Sequence, residues 1–170
     1  VYKRQGLPRL GVGLLAQQRL GLRPSEMLAV GREDVSFTTA DDGSGIACVA
    51  LGVGPHSTKA KRSQFALLRQ AKHPQVYTLL HRTWQLTAKG HRMFPYSYGR
   101  LRNRIRMFER KFGLSLGWTA HSPRAGFATD SVQRGDDPVA TQTAGRWHCP
   151  ASFRRYIDIV GALGTEVASL

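Results

Sequence analysis

The stretch DVSFTTADDGSGIACVAL, residues 34–51, restricts the fold more than any other part of the chain. Two runs rich in β-branched and apolar residues flank ADDGSG. A turn of that composition joins antiparallel strands, with Asp and Gly expected to supply positive φ. After GVGPHSTKAKR a third short apolar run, SQFALL, completes a small sheet, which leaves Lys59 and Lys61 in the connecting turn.

The remainder reads as helix. Apolar residues recur at helical spacing from Leu10 to Ala16 and from Pro24 to Val30, and Pro24 suits the first turn of a helix that begins near Arg23. Further helices are expected over Val76–Trp84, Tyr98–Phe112, Pro123–Arg134, Pro138–Ala144 and Pro150–Val160, punctuated by glycines at 113, 117, 135 and 145. A chain of 170 residues suffices for one well-buried core and is too short for two substantial ones. The expected class is α+β and mainly helical, a small three-stranded antiparallel sheet packed against a helical bundle, in one domain over 1–170.

Twenty-five Lys and Arg against eleven Asp and Glu give a net charge of +14, a strong positive field for a domain of this size. The expected partner is a polyanion. The basic residues are spread through patterned segments, not gathered into one run or one amphipathic helix, so nucleic acid fits better than a membrane surface. A basic surface that serves solubility alone is the competing explanation. No stretch approaches the roughly 20 apolar residues of a membrane span, so a soluble protein without membrane association is expected. Cys48 and Cys149 form no CxxC pair and suggest neither a disulfide framework nor a zinc site, which points to a reducing compartment. His148 and Cys149 are adjacent, but the further ligands that metal spacing supplies are missing, and no metal or other cofactor is expected. VYKRQGLPRL lacks the apolar region and cleavage site of an export signal, and a chain opening on Val1 is expected to be a piece of a longer one.

His121 and Arg124, in TAHSPRAGFATDSVQRG, lie three residues apart, which brings both to one side of a helix start. An imidazole beside a guanidinium is poorly suited to a core. An arginine fork holds two phosphate oxygens and keeps its proton, whereas a histidine moves a proton near neutral pH. Far upstream, Arg23 stands in an apolar context with Glu26 three residues later, a carboxylate able to hold that guanidinium in place. Near the end, GRWHCPASFRRYIDIV carries Tyr156. Taken alone, Tyr156 is readable as an aromatic packed on an amphipathic helix or as a nucleophile, and each arginine as part of a solvated face.

Together, and in this order, these residues resemble the tyrosine recombinases, also called the phage-integrase family. That family's catalytic domain is recognised by an arginine in a TGLRxSE-like helix, a lysine in a β-hairpin turn with a TK signature, and an HxxR helix. A His or Trp in an LGH-like segment and a tyrosine soon after it complete the pattern. Here GLRPSE supplies Arg23 and Glu26, STKAKR supplies Lys59, HSPR supplies His121 and Arg124, AGRW supplies Trp147, and RRY supplies Tyr156. The match extends over nearly the whole chain.

The resemblance implies an integrase-like catalytic domain that recombines double-stranded DNA at specific sites without metal or nucleotide. Tyr156 would attack the scissile phosphate, leaving a 3′-phosphotyrosine link and a free 5′-hydroxyl, while Arg23 and Arg124 neutralise charge on the non-bridging oxygens. His121 would assist proton movement at the tyrosine. Lys59, or Lys61 given the register of the turn, would protonate the leaving oxygen. Trp147 stands where many members have His, with His148 one residue out of register; it would hydrogen-bond the phosphate or pack the tyrosine helix. Ile157, Ile159 and Val160 would pack that helix. The basic helix YGRLRNRIRMFERKFG would run along DNA, its Arg100, Arg102, Arg104 and Arg106 on phosphates and its Leu101, Ile105 and Phe108 toward the core, with Lys61 and Arg62 as further DNA contacts.

A homotetramer on DNA, trading C-terminal segments such as DIVGALGTEVASL, is likewise implied, as are an intracellular, DNA-associated location and an origin in a mobile element. The DNA-clamping N-terminal domain of full-length members is not in these residues, so weak DNA binding is expected of this piece. Two other functions suit the same fold: a relic that binds DNA without cutting it, and a type IB topoisomerase.

Overall fold

A three-stranded antiparallel sheet in the order β1-β2-β3 is built from β1 (Val35–Thr39), β2 (Gly45–Leu51) and β3 (Gln64–Arg69) in the computed structural model, which describes residues 8–52 and 64–156. The register sets Val35 opposite Val49 and Phe37 opposite Ala47, and on the other side of β2 sets Cys48 opposite Leu67. Alternation along the strands buries Val35, Ala47, Val49, Leu51, Ala66 and Leu68 on one face and leaves Phe65 and Leu67 exposed on the other. In the hairpin turn the expected division of labour is only half observed. Gly43 takes positive φ, at 78°, whereas the aspartates do not. Asp42 acts through its carboxylate, which accepts from the Ser44 backbone N at 2.8 Å and from Ser44 Oγ at 2.6 Å. With a glycine at hand to take the left-handed position at no steric cost, the aspartate is free to cap the turn.

Helices α1 (Pro8–Leu20) and α2 (Pro24–Ala29) precede the sheet; α3 (Pro74–Gln85), α4 (Tyr98–Lys111), α5 (Ser122–Gln133) and α6 (Pro138–Ala144) follow it. A further helical segment, α7, covers 150–156 of the described residues. Helix α1 runs beyond the Leu10–Ala16 apolar pattern because Leu20, one turn further on, is buried in the core and polar residues add long-range partners. Gln17 is buried and donates to the Ala120 carbonyl at 2.8 Å, and Gln18 and Arg19 both bind the Asp130 carboxylate on α5. Ser97 caps α4 by accepting from Arg100 N, and Asp137 caps α6 by accepting from Ala140 N at 2.7 Å.

The principal core joins α1, α2, the inner sheet face, α3 and α4 through Leu10, Leu22, Met27, Leu68, Leu80, Phe94 and Leu101, all fully buried. Each such side chain contributes on the order of 1.5–3 kcal/mol by leaving water. Helix α3 lays Tyr77, His81 and Trp84 around Phe37 of β1, with ring centroids 4.6–5.6 Å from that of Phe37. A second, smaller apolar group stands apart from this core. It consists of Ala128, Trp147 and Phe153 with Phe127 and Tyr156 packed on it, and it seats α7 against α5.

Candidate active site

The site begins at the turn between α1 and α2. Gly21, with φ of 57°, reverses the chain there and turns its carbonyl inward. Arg23 follows in an extended conformation as the residue that opens α2. Glu26, one turn later, reaches back to its backbone N at 2.7 Å and takes its Nη1 at 2.5 Å. The carboxylate is buried, at 4% exposure, while the Arg23 side chain keeps 35% of its surface. The arrangement expected from the sequence, a carboxylate that orients Arg23, is observed.

Helix α5 supplies the next two side chains. His121 precedes its first turn with Pro123 inside it, and Arg124 points inward at 4% exposure. Arg124 donates from Nη1 to the Gly21 carbonyl and from Nη2 to the Gly145 carbonyl at 2.6 Å. The face of its guanidinium lies 4.1 Å from the Trp147 ring centroid, a cation–π stack.

The third element is the Gly145–Trp147 link between α6 and α7. The Trp147 ring lies directly over Gly145, where a Cβ would come within 1.7 Å of it, so no other residue fits. Trp147 is buried, and its ring centroid is 6.1 Å from that of Phe127, 5.2 Å from Phe153 and 5.8 Å from Tyr156. Tyr156 is half-buried at the edge of this group and is near enough to act electrostatically on Arg124. The ring packs the tyrosine helix, one of the two roles expected for Trp147.

Arg146 is the residue that sequence reasoning missed. Its φ is 58°, and it is the one non-glycine residue with positive φ among the described residues. Its side chain, 7% exposed, folds back under the α1–α2 turn. There it donates to the carbonyls of Leu20, Gly21 and Ala144 and, from Nη2 at 3.1 Å, to Glu26 Oε2. Its Nε is buried without a hydrogen-bond partner. Arg23 in turn donates from Nη2 to the Arg146 carbonyl at 3.1 Å. The sequence carries no local signal for it, because the burial of Glu26 that calls for a second cation is set by the fold.

Two guanidinium groups thus hold one carboxylate, and a third, that of Arg124, lies within its electrostatic reach. Burial alone would push the Glu26 carboxyl up, but the Arg23 backbone N–H, Arg146 and the Arg23 side chain together hold it below its ordinary 4.5. Burial, followed by the charge of Arg23, lowers Arg124 to about 10, so it remains a cation at neutral pH. Lost hydration, then Arg124 and Arg23, keep His121 below its ordinary 6.5, so its imidazole is neutral at pH 7 and free to accept a proton. The cluster carries excess positive charge, with the neutral His121 imidazole within the field of Arg23 and Arg124.

Arg23, Glu26, His121, Arg124, Trp147 and Tyr156 are therefore gathered in one region. Lys59, Lys61 and Arg62 lie outside the described residues, as do Ile157, Ile159 and Val160. On α4, Arg100, Arg102, Arg104 and Arg106 are exposed, Leu101 and Ile105 are buried and Phe108 is half-buried, the two faces that the sequence pattern predicts. His148 is exposed, and its Nε2 lies 3.4 Å from Nε2 of Gln64 at the start of β3.

No protein-family model matches the chain, and no curated protein matches it in sequence. Its fold does match solved structures. One is the XerH site-specific recombinase bound to a palindromic difH substrate in a post-cleavage complex, at a TM-score of 0.68 and 18% identity over 96% of this chain and 46% of that one. Another is XerH bound to difH in a pre-cleavage complex, at a TM-score of 0.66 and 19% identity over 89% of this chain and 43% of that one. The chain spans less than half the length of these structures.

Proposed function

We propose that this chain, whose fold is that of a tyrosine recombinase catalytic domain, cuts and rejoins double-stranded DNA through a covalent tyrosine intermediate. The observation that carries the reading is the convergence of Arg23, Arg124 and Tyr156 about the Glu26 carboxylate and the Trp147 ring. An unperturbed phenol has a pKa of about 10 and must lose its proton during attack. The neutral His121 takes that proton as Tyr156 Oη bonds to phosphorus. Arg23 and Arg124 stabilise the charge that accumulates on the non-bridging oxygens, and the bond to the 5′-oxygen breaks. The leaving oxygen takes its proton from Lys59 or Lys61. Gln64, the first described residue after these lysines, contacts His148 beside the Trp147 link, which favours that assignment. A second strand's 5′-hydroxyl then reverses the step, and the phosphotyrosine bond supplies the energy for rejoining.

The exposed arginines of α4 give this function a DNA surface. Strand exchange in a homotetramer on DNA, in an intracellular setting, follows from the same reading. The test is a nicked suicide duplex from which the short leaving strand diffuses away. A covalent protein–DNA adduct that disappears in Tyr156→Phe is expected, and restriction to one duplex sequence marks a recombinase. An adduct on every duplex would make the chain a topoisomerase-like enzyme, and retarded but uncut DNA would make it a binding protein.

A further inference from the structure

We infer that Arg146 is the positioning residue of this site: by saturating the second oxygen of the buried Glu26 carboxylate, it keeps the Arg124 guanidinium in its seat between Gly21, Gly145 and Trp147. The inference rests on the proposed function insofar as it takes the ligand of Arg23 and Arg124 to be a DNA phosphate. Arg146 itself is too deeply buried to touch one.

Glu26 Oε1 is taken by Arg23, and Oε2 is shared by the Arg23 backbone and Arg146. Arg124 is a competitor for that carboxylate. It donates to the same Gly21 carbonyl as Arg146 and feels the field of Glu26. In the absence of Arg146, an anion in a poorly hydrated place would draw Arg124 toward itself, away from the Trp147 face and from any ligand. The local net charge would also fall from +2, three arginines less one glutamate, to +1. The backbone adds a second link. The left-handed conformation at Arg146 delivers its carbonyl to Arg23 Nη2 while the next residue, Trp147, caps Arg124. A costly conformation at a residue that ties both arginines together is what pre-organisation of a charged site requires.

Orthovanadate, a phosphate analogue, binds such a site without any strand cleavage, and its affinity for the whole chain is measured by calorimetry. Arg146→Met, which keeps side-chain bulk and removes the charge, is expected to weaken orthovanadate binding by about 10- to 100-fold. Adding Glu26→Gln to that variant removes the competing anion and is expected to recover about tenfold. Unchanged affinity in Arg146→Met overturns the inference. So does the failure of Glu26→Gln to recover binding in a double variant with a native circular-dichroism spectrum, because a merely structural arginine predicts no such rescue. Should Arg146→Met not fold, Arg146→Lys decides: one cation stays on Glu26 but the fork to the carbonyls is lost, so weakening of about three- to tenfold supports the inference, and either no change or complete loss overturns it. Wild-type chain that binds orthovanadate yet forms no adduct on any duplex defeats the proposed function and leaves the role of Arg146 standing. Wild-type chain that binds none overturns both.

Discussion

Arg124 and Arg146 are 4% and 7% exposed and anchored to backbone carbonyls, whereas Arg100, Arg102, Arg104 and Arg106 on α4 face solvent along a single helix. The same residue type is used in two opposite ways. Where arginine is buried, its donors are fixed before any ligand arrives, and the cost of holding a cation out of water is offset by carbonyls, the Glu26 carboxylate and the Trp147 ring. Such a group can discriminate one geometry of oxygens from another. Where arginine is exposed, each side chain keeps its rotamers and its hydration. It then adds affinity for a polyanion that depends on salt and not on sequence. The difference teaches that net charge alone, +14 here, does not describe a basic protein; the placement of the charge separates chemistry from adhesion.

The contrast breaks first at Tyr156. Replacement by Phe keeps the ring that packs on Trp147 and removes the oxygen, so melting temperature should change little while adduct formation on a suicide duplex falls to background. Next is Arg124→Lys. Lysine preserves charge but neither bridges the Gly21 and Gly145 carbonyls nor stacks on Trp147, so single-turnover adduct formation should drop about 100- to 1,000-fold, with duplex affinity in a gel-shift assay changed far less.

A smaller effect is expected at His121. Its folded pKa lies below 6.5, so the ring accepts a proton at neutral pH and ceases to do so as pH falls through that lowered value. The rate–pH profile should therefore decline on its acid side below 6.5. His121→Gln should slow the reaction about 10- to 100-fold and flatten that limb. The smallest chemical effect belongs to α4. Changing Arg100, Arg102, Arg104 and Arg106 to Gln should leave the rate of the bound complex near wild type. It should also reduce the slope of log affinity against log salt by about 0.9 for each phosphate contact removed. A large loss of bound-complex rate there would erase the distinction between the two classes of arginine.

Much of this architecture was legible in local sequence because local physics decides it. The hairpin follows from ADDGSG between β-branched runs, the exposed and buried faces of α4 from apolar spacing, and the Arg23–Glu26 pair from a separation of one helical turn. What escaped was decided at long range. Arg146 meets Glu26 across 120 residues of chain, and nothing near position 146 announces a carboxylate. Gly145 reads as punctuation until Trp147 is seen to lie on it. The extra length of α1 combines Leu20, buried one turn after Ala16, with polar partners at Ala120 and Asp130 that lie more than 100 residues away in the chain.

A crystal structure of the chain with orthovanadate would locate the phosphate-binding site directly. The vanadium should be found bonded to Tyr156 Oη, with its equatorial oxygens held by Arg23 and Arg124. Orthovanadate seated on the exposed arginines of α4, with Tyr156 and Arg124 untouched, would contradict that placement.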